Sequence, residues 1–223
     1  MRRIIAAMTF IAWILAPASD AQQNPSPFDP IEDDPDLPRV LLIGDSISIG
    51  YTLPVREILQ GIANVHRIPT NGGPTIRGWD RLGEWLGEEK WDVIHFNWGL
   101  HDLKILEDGE HQAPLDYYRL TLERLVKRLK DTGAQLIWAS TTPVPEGDVS
   151  PKRIPADVVR YNEAAAAVMK KYDASVNDLY AFALPRLEKI QRPVNVHFTD
   201  EGSQALAQQT AEAIRAALGK IKK

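Results

Sequence analysis

Short apolar runs alternate with longer amphipathic stretches along most of the chain, and this alternation limits the fold more than any other feature. Val40-Leu41-Leu42-Ile43 is apolar throughout and ends in Gly44-Asp45-Ser46, which reads as a buried strand entering a turn. Residues 49–60 follow with helical spacing, and Pro54 is expected in their first turn. Residues 64–68, 91–96, 135–140 and 174–176 read as further strands. Residues 76–86, 115–130, 156–172 and 201–218 read as helices, the first with Trp79, Leu82 and Leu86 on one face. Strands separated by helices pair in parallel, because only a crossover returns the chain to the same sheet in the same direction. A mostly parallel sheet covered on both faces is therefore expected, with functional groups where strands end and helices begin.

The 223 residues suit one domain with a sizeable core. A net charge of −4 gives no basic surface of the kind nucleic acid requires, and it disfavours stable adhesion to anionic membranes. Cysteine is absent, which excludes disulfides and thiolate metal sites. The five histidines have no paired spacing on a helix, so a zinc site is not expected.

Met1-Arg2-Arg3 precedes an apolar run from Ile4 to Leu15, and Ser19 and Ala21 fit a small-x-small cleavage site. Residues 1–21 thus read as a signal peptide for periplasmic export or secretion, with a membrane anchor as the alternative. Residues 22–38 are rich in proline and acid and lack apolar periodicity, which predicts a flexible linker before a domain at 39–219, with a bound, ordered arm as the alternative.

Ser46 lies where the first strand gives way to a helix. Such a turn can lift a hydroxyl above the sheet edge and aim free helical N–H groups at it. A helix cap is the plainer reading of an isolated Gly-Asp-Ser. His197, just before the last helix, supplies the missing half, because a serine hydroxyl needs a base and imidazole has a suitable pKa. Thr199 or Asp200 can cap the following helix and so stiffen the loop.

With these pieces in place, the chain resembles the SGNH (GDSL-type) hydrolase family over about residues 39–219. Ile43-Gly44-Asp45-Ser46 matches the family's first block, whose serine is the nucleophile and whose backbone N–H binds the oxyanion. Asn71-Gly72-Gly73-Pro74-Thr75 stands where the second block supplies a glycine N–H, assigned here to Gly73. Gly99-Leu100-His101-Asp102 stands at the third block and His197 at the fourth. The resemblance implies a flavodoxin-like three-layer α/β/α sandwich and an acyl-enzyme mechanism without a cofactor.

Two positions depart from the family pattern. His101 replaces the usual asparagine, and an imidazole N–H can still donate to an oxyanion. Val194 stands where an aspartate usually orients the histidine. Three accounts are open: Asn195 or a backbone carbonyl orients His197; an acid from elsewhere, such as Asp200 or Asp102, approaches it; or catalysis is impaired. Asp200 is better explained as a helix cap and Asp102 as a brace for its own loop.

The resemblance and the export signal together point to a secreted carboxylic ester hydrolase removing an acetyl group from a carbohydrate. Its partners would be small-molecule or polysaccharide esters. Trp79 and Trp98, near the second and third blocks, are candidate sugar platforms, the alternative being plain packing. A lipid or simple ester is the second substrate class. A non-catalytic carbohydrate-binding protein on the same scaffold is the third reading, motivated by the two departures.

Overall fold

The computed structural model describes residues 25–221; the signal peptide read at 1–21 and residues 22–24 of the linker lie outside them. The first half runs β1 (Arg39–Ile43), α1 (Ser46–Ile58), β2 (Asn64–Arg67), α2 (Thr75–Leu86), β3 (Val93–Phe96) and α3 (Leu115–Lys130). The second half runs β4 (Gln135–Ala139), α4 (Pro155–Tyr172), β5 (Ser175–Asn177), α5 (Leu179–Ala183), α6 (Leu187–Ile190) and α7 (Asp200–Leu218), with a 3-10 turn between α5 and α6. All five strands are parallel, in the order β2-β1-β3-β4-β5.

The layers follow from burial. Val40 to Ile43 and all of β3 are buried, as strands covered on both faces must be. Helices α1 and α7 pack together on one face, and α2, α3 and α4 on the other. The expected three-layer sandwich is the fold observed. Crossovers leave β1 toward β2 on one side and continue through β3 to β5 on the other. The C-terminal edge between β1 and β3 is therefore a topological switch point, where a crevice opens.

Two expectations need correction here. Pro54 lies well inside α1 rather than in its first turn. The helix starts earlier, at Ser46, because the Asp45 carboxylate accepts from the Ile47 N–H at 2.9 Å and caps it there.

The second correction concerns the acidic linker, whose residues 25–38 form an ordered arm. Asp34 and Asn64 bond reciprocally, the Asp34 N–H to Asn64 Oδ1 at 3.0 Å and Asn64 Nδ2 to the Asp34 carbonyl at 2.8 Å. Asp33 bridges Arg39 at 2.7 Å and His66 at 2.6 Å. The acids that suggested solvation instead find cations on β1 and β2, and the arm covers edge strand β2. Among the described residues, no helix is long and apolar enough to cross a membrane.

Candidate active site

Ser46 is the first residue of α1, so its N–H belongs to the unpaired donors at that helix N-terminus. A buried guanidinium holds the turn from below. Arg67, at the end of β2, donates to Ser48 Oγ at 2.6 Å and to the Gly44 carbonyl at 3.0 Å. Burial lowers its pKa to about 10, so it stays charged at neutral pH. The arm closes over it, with Phe28 stacked 5.4 Å from the guanidinium carbon.

His197 reaches this turn from a loop that is pinned at both ends. Gln191 and Phe198 form an antiparallel bridge, and the Thr199 hydroxyl caps α7 by accepting from the Gly202 N–H at 3.0 Å. The loop delivers His197 Nε2 to 2.8 Å from Ser46 Oγ, across 151 residues of sequence. Asp200 sits in the first turn of α7, exposed.

Asn195 holds the opposite edge of the ring. Its Oδ1 is 2.7 Å from His197 Nδ1 and also accepts the backbone N–H of His197 at 2.9 Å. An amide nitrogen could not accept that N–H, so the atom facing both groups is the carbonyl oxygen. The ring therefore carries its proton on Nδ1 and turns a bare Nε2 to the serine. Of the groups the sequence offered as orienters, Asn195 is the one in contact with the ring. Val194 stands exposed in a turn closed by the Asn195 N–H on the Arg192 carbonyl at 3.2 Å, with φ at 49°. That backbone is strained for a β-branched residue. Burial pulls the His197 pKa below its ordinary value; Asp45 opposes this, and Arg192 and Arg153 add to it.

The glycine block approaches from β2. The Gly72 N–H donates to the Gly44 carbonyl at 2.9 Å, and a Cβ on Gly72 would lie the same 2.9 Å from that oxygen, so no larger residue fits. Gly73 has φ +61°, which suits glycine. Its N–H is engaged by Asn71 Oδ1 at 2.9 Å, so an oxyanion at Gly73 has to share or displace that side chain.

His101 follows β3, half-buried, with Nδ1 only 3.0 Å from the Lys104 ammonium. An ammonium can only donate, so Nδ1 is the acceptor and the neutral ring keeps its proton on Nε2. Burial pushes its pKa down to about 4, with Lys104, Arg153 and Arg77 also lowering it and Asp45 opposing, so the ring is neutral at physiological pH. Next to it Asp102, fully buried, accepts from the Thr75 N–H at 2.9 Å and hydroxyl at 2.5 Å. It braces the third block against α2, as its own loop requires. Burial raises its pKa to about 7.

The tryptophan expectation fails at Trp98. Trp98 is 1% exposed and packs against Gly78 and Phe96, so no sugar can stack on it. Trp79 is on the surface, but its ring lies beside Arg124 and Arg128 of α3 at 5.9 and 5.4 Å, and it does not line the groove at Ser46. That groove, about 820 Å³, runs between α1 and the start of α7. Ile49, Leu53, Phe198 and Gln204 line it, with Pro25 and Pro30 of the arm. Arg67 and Lys104 were not anticipated from the sequence, and Gly72 stood in the glycine block without a role of its own. An arginine closing a short strand and a lysine three residues after His101 are the only local signals.

The sequence matches the GDSL-like Lipase/Acylhydrolase family over residues 42–205. No curated protein matches the chain. Among solved structures it is similar to the acetyl xylan esterase AlAXEase, at 16% identity and TM-score 0.67, over 79% of this chain and 99% of that one. A lipase/acylhydrolase from Enterococcus faecalis gives 21% identity and TM-score 0.69, over 80% of this chain and 96% of that one. Axe2, an acetylxylan esterase from Geobacillus stearothermophilus, gives 18% and 0.66, over 79% of this chain and 94% of that one. At such identities these likenesses speak to the fold, while the family match spans every block that bears a candidate catalytic group. The chain thus belongs to the GDSL-like lipase/acylhydrolase family and is a carboxylic ester hydrolase.

Proposed function

We propose that the protein is an exported serine esterase that removes an acetyl group from a carbohydrate. The observation that carries this reading is the relay Ser46–His197–Asn195, with successive contacts of 2.8 and 2.7 Å. Ser46 Oγ attacks the ester carbonyl carbon, and its proton passes to His197 Nε2. The tetrahedral oxyanion takes hydrogen bonds from the Ser46 N–H, from His101 Nε2–H, and from Gly73 once Asn71 yields or shares. Collapse breaks the bond to the sugar oxygen, which leaves with the proton from Nε2. A water then repeats the cycle, His197 accepting its proton, and acetate departs.

Each step matches a general requirement. The base must be neutral and correctly tautomeric, which the Asn195 carbonyl enforces. The donors must be fixed before charge develops, which the α1 N-terminus and the Lys104–His101 pair provide. An amide cannot stabilise imidazolium as a carboxylate does, so turnover is expected to be slower than with aspartate at that place. Acetyl removal is supported by the export signal at residues 1–21 and by the acetylxylan esterases of like fold. The groove supports a hydroxyl-rich substrate, since Gln204, Ser203 and Arg192 alternate with its apolar lining.

The test is hydrolysis of p-nitrophenyl acetate and of acetylated xylan by the protein and by Ser46→Ala. Serine-dependent release of acetate from both is expected. Release that survives Ser46→Ala would overturn the nucleophile, and turnover of the simple ester alone would remove xylan as substrate.

A further inference from the structure

Four cationic side chains converge on the loops that carry the catalytic groups, although the protein as a whole is acidic at −4. Each is tethered to a neutral acceptor. Arg77 donates to the Asn71 carbonyl at 3.4 Å and lies over Gly73, 3.0 Å from where a Cβ would stand. Lys104 donates to the His101 ring at 3.0 Å. Arg153 donates through Nε to the Leu100 carbonyl at 2.7 Å and through Nη1 to the Pro151 carbonyl at 3.0 Å. Arg192 donates to the Phe198 carbonyl at 3.1 Å and lines the groove with Ser46 and His197.

Among the described residues, none of the four has a carboxylate within salt-bridge distance, whereas Arg39, Arg81, Arg160, Lys127 and Lys171 all do. Arg153 is the most buried of the four, a state it shares with Arg67 beneath the Ser46 turn, whose buried Nε has no partner among the described residues. Arg153 is only 7% exposed, and its Nη2 has no protein hydrogen-bond partner. Burying a guanidinium without a counter-ion costs stability, and an anionic ligand beside it would offset that cost. The fields of Arg153 and Arg192 reach His197, and those of Arg77, Arg153 and Lys104 reach His101; Asp45 is the one carboxylate acting on both rings. The acids of the groove, Asp29, Glu57 and Asp200, line it together with the arm and the α1–α7 helices. The four cations thus stand on the glycine-block, His101 and His197 loops, while the groove beside them carries Asp29, Glu57 and Asp200 together with Arg56 and Arg192.

We propose that the site takes an ester of an acidic carbohydrate, one bearing a carboxylate or sulfate close to the scissile acetyl group. The anion would sit against Arg153 and Arg77, with Arg192 on the groove side, and would supply the counter-charge that Arg153 lacks. This proposal rests on the esterase reading above and narrows its substrate class. Planar guanidinium forks suit both oxyanions, so the shared chemistry is a compact oxyanion on the sugar.

Binding is the first readout, because it needs no turnover. Calorimetry on the full-length Ser46→Ala protein compares trigalacturonic acid with its methyl ester, and a sulfated galactose oligosaccharide with its desulfated form. The acidic member of at least one pair is expected to bind about ten-fold or more tightly at low salt, with the advantage shrinking as salt rises. The preference should fall towards unity in Arg77→Gln/Arg192→Gln, whose side chains are exposed, and in Arg153→Met once its thermal unfolding shows that it is folded. Whichever pair discriminates identifies the anion. Equal binding within both pairs, no binding by any probe, or a preference untouched by the arginine variants would overturn the proposal. Hydrolysis of p-nitrophenyl acetate by the unmutated protein keeps the two readings apart. Serine-dependent turnover without anion preference would sink this inference alone, and anion-selective binding without turnover would sink the esterase reading alone.

Discussion

The loops bearing His197 and His101 present the same side chain in opposite chemical states. Each ring is fixed through Nδ1 by a neighbour close in sequence. At His197 that neighbour is the Asn195 carbonyl oxygen, which accepts and leaves Nε2 bare, as a base needs. At His101 it is the Lys104 ammonium, which donates and keeps the proton on Nε2, as an oxyanion donor needs. Burial helps both by holding the rings neutral, more strongly at His101, where the pKa is pushed down to about 4. The role of an imidazole is set by what its far nitrogen touches, and the two partners differ in charge and in the direction of one hydrogen bond.

The contrast can be broken most severely by replacing each histidine with asparagine. His197→Asn removes the base and should lower kcat/KM for p-nitrophenyl acetate by about 10⁴-fold or more. His101→Asn keeps an N–H donor and should stay within about ten-fold of the parent. His101→Ala leaves no donor, and kcat should drop about 100- to 1000-fold with KM little changed. Similar rates for His101→Asn and His101→Ala would show that the ring is not an oxyanion donor.

A smaller effect is expected from releasing the tautomer. Lys104→Met lets the His101 proton move to Nδ1, which should cost about ten-fold in kcat. Nitrogen NMR of the imidazole should show protonated Nε2 in the parent and a mixture in the variant. The loss should be clearly smaller in a His101→Asn background, since asparagine has no tautomer to lose.

The His197 side is sharpened by pH. The base works only when neutral, so kcat/KM should rise with pH through the His197 pKa and level off above it. That acid limb should lie below the ordinary histidine value, because burial lowers this pKa. Asn195→Asp places a carboxylate beside Nδ1 and stabilises imidazolium, which should move the limb to higher pH and raise the plateau several-fold. An unmoved limb would mean that Asn195 does not govern the ring.

The smallest expected effect is on stability, at the brace beside His101. Asp102 has its pKa raised to about 7 by burial, so the folded state binds more protons than the unfolded chain between about pH 4 and 7. Stability from this group therefore falls as pH rises through that window. Asp102→Asn keeps the oxygen that accepts from Thr75 and removes the charge, so melting temperature measured from pH 5 to 8 should vary less than in the parent.

Much of this was readable in the chain. Apolar runs such as Val40–Ile43 mark strands because a sheet covered on both faces has no polar side, and the alternation then dictates parallel pairing. Ser46 and His197 were legible because each lies where a strand ends or a helix begins. Errors arose where a local pattern has two physical solutions. Acids and prolines at 25–38 look like a solvated linker until Arg39, His66 and Asn64 are known to face them. Trp98 looks like a platform beside the site until Gly78 and Phe96 are found against it. Pro54 looks like a helix start because proline favours a first turn, although the Asp45 cap places that start at Ser46.

The sequence by itself determined the layers, the parallel sheet, the family and the serine-histidine pair, since these rest on periodicity and on residue types at strand ends. Only the tertiary structure decided which nitrogen of each histidine carries the proton, that Gly73 is engaged by Asn71, and that Arg153 is buried without a counter-ion. Those depend on the direction of single hydrogen bonds and on which charges share a crevice. Residue types and spacing do not fix side-chain rotamers or burial, even between near neighbours such as Asn195 and His197.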